Sequence, residues 1–197
     1  GLDGEPPESI WVDSKFSASE HGTQILDKIL GKREVFQYPK SPYAVSECIK
    51  VASTNKDAII LDFFAGSGTT GQAVLDLNQE DDGNRKFILC TNNENNICTE
   101  VCYPRIEKVI KGYTVDGKKR DGLGGNLKYF KTDFVDAEAT DRNKRRLVDK
   151  STEMLCLKED CFDGLEKGQD FRIFTNSQNK HLGIIYDDDG IEPFKQK

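Results

Sequence analysis

Ala58-Ile-Ile-Leu-Asp-Phe-Phe-Ala-Gly-Ser-Gly-Thr-Thr-Gly-Gln-Ala-Val-Leu75 passes from apolar to glycine-rich to helix-forming within a short span. Ile59, Ile60 and Leu61 form an unbroken apolar run, which suits a strand buried on both faces of a parallel sheet. Asp62 closes that run. Gly66-Ser67-Gly68-Thr69-Thr70-Gly71 then supplies glycines, which accept backbone angles closed to other residues, and hydroxyls suited to opening a helix. The expected unit is strand, tight loop, helix. Open α/β sheets bind ligands beyond the carboxyl ends of their strands, and the first amides of a helix attract anions. Asp62 adds a carboxylate at the same edge, so the site suits a ligand with both a negative and a positive group. The spacing Gly66-x-Gly68-x-x-Gly71 also fits the loose dinucleotide fingerprint. No Lys follows Gly71, which excludes a Walker A loop.

Downstream, the helix is expected to run to Asn78, with Glu80 to Asn84 as a polar turn. Arg85 to Thr91 then reads as a second buried strand, completing a strand-helix-strand unit. Thr91-Asn92-Asn93-Glu94 follows, where an acidic residue would commonly hold a ribose diol; Asn92 or Asn93 is favoured by position, with Glu94 the further candidate, against a reading as a turn and helix cap. Ile97, Val101, Ile106, Val109 and Ile110 keep helical spacing to Gly112 with Pro104 interrupting them, so a kinked or divided helix is expected. Gly117 to Gly125 reads as a loop carrying Lys118, Lys119 and Arg120, and Asn126 to Thr132 as a third strand. Asp141 to about Ser151 reads as an exposed helix bearing Lys144, Arg145 and Arg146. Phe171 to Thr175 and His181 to Tyr186 form a predicted hairpin.

Upstream, Ile25, Leu26, Ile29 and Leu30 predict a short amphipathic helix that Gly31 ends. Val35-Phe-Gln-Tyr-Pro39-Lys40-Ser-Pro42 leads into a helix over 41–54. Residues 1 to about 20, rich in Gly, Pro, Ser and acidic side chains, read as an irregular arm anchored by Ile10, Trp11, Val12 and Phe16.

The 197 residues suffice for one substantial core and a small appendage. A net charge of -6 argues against a surface built throughout for nucleic acid, so any DNA contact is expected from a local basic patch or from another part of the protein. Cys48, Cys90, Cys98, Cys102, Cys156 and Cys161 contain no Cys-x-x-Cys pair, and His21 and His181 stand apart from them. Reduced, mostly buried thiols are expected, with no metal site. No apolar run approaches membrane-spanning length, and a cytoplasmic location is expected.

Leu61-Asp-Phe-Phe-Ala-Gly-Ser-Gly-Thr-Thr70 resembles the S-adenosylmethionine loop of amino-methylating DNA methyltransferases, in particular the modification subunits of type III restriction systems. Val35 to Pro42 resembles the Phe-x-x-Pro-Lys-Pro segment ahead of that loop, with Ser41 interrupting the Lys-Pro pair. Pro7-Glu-Ser-Ile-Trp11 and Tyr103-Pro-Arg-Ile-Glu-Lys-Val-Ile-x-Gly-Tyr113 match the family as well, so the likeness covers roughly Pro7 to Val135. Glu5-Pro-Pro-Glu8 is not the Asp-Pro-Pro-Tyr type catalytic motif, because no aromatic follows the prolines.

The resemblance implies an α/β, Rossmann-like S-adenosylmethionine-dependent methyltransferase fold, with residues 1–135 as its cofactor-binding part and 136–197 as a C-terminal extension of helix and β-hairpin. It implies adenine-N6 methylation of double-stranded DNA, the cofactor S-adenosyl-L-methionine, a restriction subunit as partner and a homodimer. Cofactor-binding residues carried over are Pro39, Lys40, Asp62, Phe63, Phe64, Ala65, Gly66, Ser67, Gly68, Thr69, Thr70, Asn92 and Asn93. No catalytic residue is carried over. The expectation is a C-terminal portion that starts after the catalytic motif and is inactive alone, with one edge of the central strand shielded by self-association or by another segment. A nicotinamide or flavin dinucleotide-binding domain, or a non-catalytic binding module, remains the alternative.

Overall fold

Short helical turns at Ser14–Phe16 and Ala18–Thr23 lead into α1 (Gln24–Leu30) in the computed structural model, which describes residues 10–197. The Pro-Pro segment and most of Pro7 to Trp11 therefore lie outside the described residues. Gly31 ends α1 in the left-handed region, φ 70°, its N–H donating to the Asp27 carbonyl at 2.8 Å. Ser41 precedes α2 (Pro42–Ala52), whose first residue needs no amide partner.

β1 (Ile59–Asp62) and β2 (Lys86–Leu89) pair in parallel, with Asp62 opposite Leu89, and α3 (Thr69–Asp81) connects them. The polar turn after α3 is closed from both sides. Asn78 exchanges two 2.9 Å hydrogen bonds with the Arg85 backbone, while the Arg85 guanidinium pairs with Asp81 at 2.8 and 2.9 Å.

A π-helical turn, Ile97–Cys102, runs into α4 (Tyr103–Lys111), so Pro104 falls in a first helical turn, where it is tolerated. β3 (Gly112–Val115) and β4 (Lys118–Asp121) form an antiparallel hairpin, which corrects the loop expected from Gly117. Asp116 and Gly117 both have positive φ, 49° and 74°, the two-residue turn that matches strand twist. Asn126 to Thr132 forms no strand, contrary to expectation. Leu127 instead packs against the core and Tyr129 meets Tyr103 edge-on at 5.3 Å.

α3 is the organising helix of this unit, Gly1–Phe130. Ala73, Val74 and Leu77 pack with Ile49 of α2, and Leu75 with Leu26 and Ile29 of α1 and Val101, Ile106 and Val109 from the turn and α4. Ile60 and Phe87 bring one face of the two strands onto this core. The opposite face is open: Ile59 is 65% and Leu61 48% exposed, so β1 is not buried on both faces. Among the described residues β1 pairs with β2 alone, and no other strand pairs with its free edge.

The second unit, Lys131–Lys197, has α5 (Asp141–Glu159), capped by the Thr140 hydroxyl, which accepts from Asn143 N at 3.2 Å. β5 (Asp163–Lys167), β6 (Phe171–Thr175) and β7 (His181–Ile185) form an antiparallel sheet in that order, followed by α6 (Ile191–Lys195). The expected pair is therefore the later part of a three-stranded sheet. In the basic run of α5, Lys144 pairs with Asp141 at 3.7 Å and Arg146 with Asp133 at 3.6 Å. None of the six cysteines is in a disulfide; Cys102, Cys156 and Cys161 are buried but Cys48 and Cys90 are exposed, so half rather than most are core residues. Among the described residues no helix is long and apolar enough to cross a membrane.

Candidate cofactor loop

Asp62 shapes the turn that leaves β1. Its Oδ1 accepts the Phe64 N–H at 3.0 Å and its Oδ2 the Thr70 hydroxyl at 2.6 Å, tying strand end to helix start. The Ala65 N–H donates to the Cys90 carbonyl beyond β2 at 3.1 Å, fastening the loop to the neighbouring strand end. Phe63 and Phe64 are thereby left exposed, while Ala65, Ser67, Gly68 and Thr69 are buried.

Gly66 and Gly68 have φ of 51° and 79°, angles that a β-carbon resists. Gly68 is also crowded from behind: a Cβ there would lie 3.0 Å from Cys102 Sγ. At Gly71 a Cβ would lie 2.8 Å from Ile106 Cδ1. The glycine spacing thus lets α3 and its loop sit close against the π-helical turn and α4. Burial pushes the Cys102 thiol up to about 12, so the sulfur beside Gly68 stays a neutral packing group.

The loop rests on Arg105, a fully buried cation with 0% exposure. Its Nη1 donates to Ser67 Oγ and Thr69 Oγ1, both at 2.9 Å, and to the Ser67 carbonyl at 3.3 Å, while Nε donates to Gln72 Oε1 at 3.0 Å. Its Nη2 is buried without a hydrogen-bond partner. Burial lowers the guanidinium to about 10, which leaves it charged at neutral pH. Burial also raises the Asp76 carboxyl, against a hydrogen bond from Gln72 and the attraction of Arg105. Sequence reasoning assigned no role to Arg105, Gln72 or Asp76. A signal was present for the first: Arg105 sits midway between Val101 and Val109, at the phase of core residues.

The Pro-Lys segment reaches this loop. Pro39 is fully buried and Gly22 makes room for it, since a Cβ at Gly22 would lie 2.0 Å from the Pro39 carbonyl oxygen. The Thr69 hydroxyl donates to the Lys40 carbonyl at 3.4 Å, whereas the Lys40 side chain is exposed. The asparagines past β2 diverge. Asn93 Oδ1 accepts from Cys98 N at 3.0 Å and Thr99 N at 3.1 Å, so it caps the next turn. Asn92 stays exposed, its amide 3.4 Å from Glu94 Oε2.

The second unit holds a pocket of about 100 Å³ beside Arg145, Asp149, Lys167 and Arg172. Sites for nucleoside-sized ligands run to roughly 300 Å³ or more, so this one suits no such ligand.

A family model described as DNA methylase matches residues 2–101. The chain is 42% identical over 112 residues to the Mod subunit of the type III restriction-modification enzyme StyLTI of Salmonella typhimurium, covering 55% of this chain and 17% of that protein. It is 33% identical over 154 residues to the EcoPI Mod subunit of Escherichia phage P1, covering 71% and 23%. It is 38% identical over 107 residues to the type II methyltransferase M.KpnI of Klebsiella pneumoniae, covering 54% and 25%. The chain thus spans at most 25% of the length of these curated relatives.

Proposed function

The chain belongs to the DNA methylase family, and from that premise we propose that it forms the S-adenosylmethionine-binding part of a DNA adenine-N6 methyltransferase of a restriction-modification system. Double-stranded DNA is then the substrate, a restriction subunit the partner and a homodimer the assembly. The observation that carries the reading is the loop between β1 and α3. It is braced from within by Asp62 and Arg105, and it opens the first turn of a helix beside the carboxyl ends of two parallel strands.

The residues present fit that cofactor. The amides ahead of the first α3 hydrogen bond, Gln72 N to Gly68 O, suit its carboxylate. Exposed Phe63 and Phe64 give flat apolar surface for its adenine. Asn92 is favoured over Asn93 for the ribose, because the Asn93 oxygen is already taken by the helix cap. Pro39 is buried, and the Lys40 carbonyl accepts from the Thr69 hydroxyl of the loop at 3.4 Å. When bound, S-adenosylmethionine supplies an electrophilic methyl group on its sulfonium. The residues of this chain position that donor, and catalysis of this type is largely alignment of two reactants. The target base is one that such enzymes read after flipping it from the duplex.

Calorimetric titration of the intact protein with S-adenosylmethionine, S-adenosylhomocysteine and NAD tests the reading, together with transfer of a labelled methyl group to duplex DNA. Both sulfur nucleotides are expected to bind, in the range of about 1 µM to 1 mM usual for enzyme ligands, and the label to appear on adenine. Binding of NAD alone, or label on cytosine, contradicts it.

A further inference from the structure

Arg105 is expensive to bury, and α4 would pack as well on its neighbours with an aliphatic side chain at that phase. Its contacts explain its presence. All four acceptors belong to the loop or to the first turn of α3: Ser67 twice, Thr69 and Gln72. The Ser67-Gly68 peptide is gripped at both ends, its carbonyl by Arg105 Nη1 at 3.3 Å and its N–H by the Ala65 carbonyl at 2.7 Å. Gly68 flanks that peptide at a φ of 79°, and the freedom of a glycine there would otherwise let the peptide turn over. Ser67 and Thr69 are buried; without the guanidinium their hydroxyls would keep each other at 3.2 Å and Thr69 the Lys40 carbonyl at 3.4 Å, but the Ser67 carbonyl would lose its Arg105 donor and the peptide its hold.

We propose that Arg105 is a positioning residue for the methyl donor: it touches no ligand, and it locks the Ser67-Gly68-Thr69 backbone in the one arrangement that receives the cofactor. This rests on the loop being the cofactor site. The rigidity supplied by one planar fork removes an ordering cost from binding. Lysine cannot substitute, because a single ammonium does not reproduce a fork that spans Gln72 and the two hydroxyls.

The test is the dissociation constant for S-adenosylhomocysteine of the intact protein, measured on the folded fraction, for the parent, Arg105→Met and Arg105→Lys. A fixed oligonucleotide duplex serves as a second ligand. Both variants are expected to bind S-adenosylhomocysteine about 10- to 100-fold more weakly, with duplex affinity within about twofold, which general loss of stability would not produce. Where neither variant folds, Gln72→Leu removes the acceptor of Arg105 Nε at a residue outside the cofactor set and is held to the same tenfold criterion. A folded variant that binds S-adenosylhomocysteine less than about tenfold more weakly overturns the positioning role and leaves the cofactor loop standing. A parent protein that binds duplex but no S-adenosylhomocysteine overturns the cofactor loop itself.

Discussion

At the residue scale, two glycines of the central motif are spent on packing. Gly68 combines a φ of 79° with a Cβ position 3.0 Å from Cys102 Sγ. Gly68→Ala should therefore cost about 1–3 kcal/mol, from left-handed strain and crowding together. The check is a Tm measured by differential scanning calorimetry, expected to fall by several degrees. Asp81 makes a second residue-level prediction. The Arg85 hydrogen bond holds its carboxyl below the ordinary 3.8. A carboxyl depressed on folding contributes stability above its unfolded pKa and loses it as pH falls through the folded value. Asp81→Asn should lower Tm at pH 7, and the gap from the parent should narrow below about pH 4 as the parent's own carboxylate protonates. Asp76 has the opposite sign. Its raised carboxyl contributes most below the unfolded pKa, and that contribution is lost as pH rises through the folded value.

At the scale of elements, the sequence marks most clearly those helices that carry their own punctuation. Ile25, Leu26, Ile29 and Leu30 with Gly31 define α1, and the glycine-threonine run opens α3. Arrangements that depend on a neighbour are harder to read. Ile59-Ile60-Leu61 describes a strand able to be buried on both faces, but exposure depends on what lies beside it, and here β2 is its one strand neighbour among the described residues. Asn126 to Thr132 has apolar residues suited to a strand but no ladder partner. The β3-β4 hairpin was signalled by Asp116-Gly117 and hidden by the charges of Lys118, Lys119 and Arg120, which suit a loop equally well. The arrangement of the candidate site was partly legible. Asp62, the glycine loop and the Lys40 carbonyl are joined by hydrogen bonds, while Arg105 arrives from 38 residues beyond Ser67 and is visible only as a charge at a core phase.

At the scale of the whole molecule, the described chain separates into two compact units with different architectures. The first is built on a parallel strand pair and α3; the second on a long helix and an antiparallel sheet. The family match at residues 2–101 falls in the first unit, which also carries every candidate cofactor residue. Ala65 to Thr70, braced by Asp62 and Arg105, is the segment proposed to receive the methyl donor. Hydrogen exchange of the intact protein at saturating S-adenosylhomocysteine tests it most directly. Amides of Ala65 to Thr70 should slow by about tenfold or more on binding; exchange there that is unchanged, with protection appearing elsewhere, would contradict it.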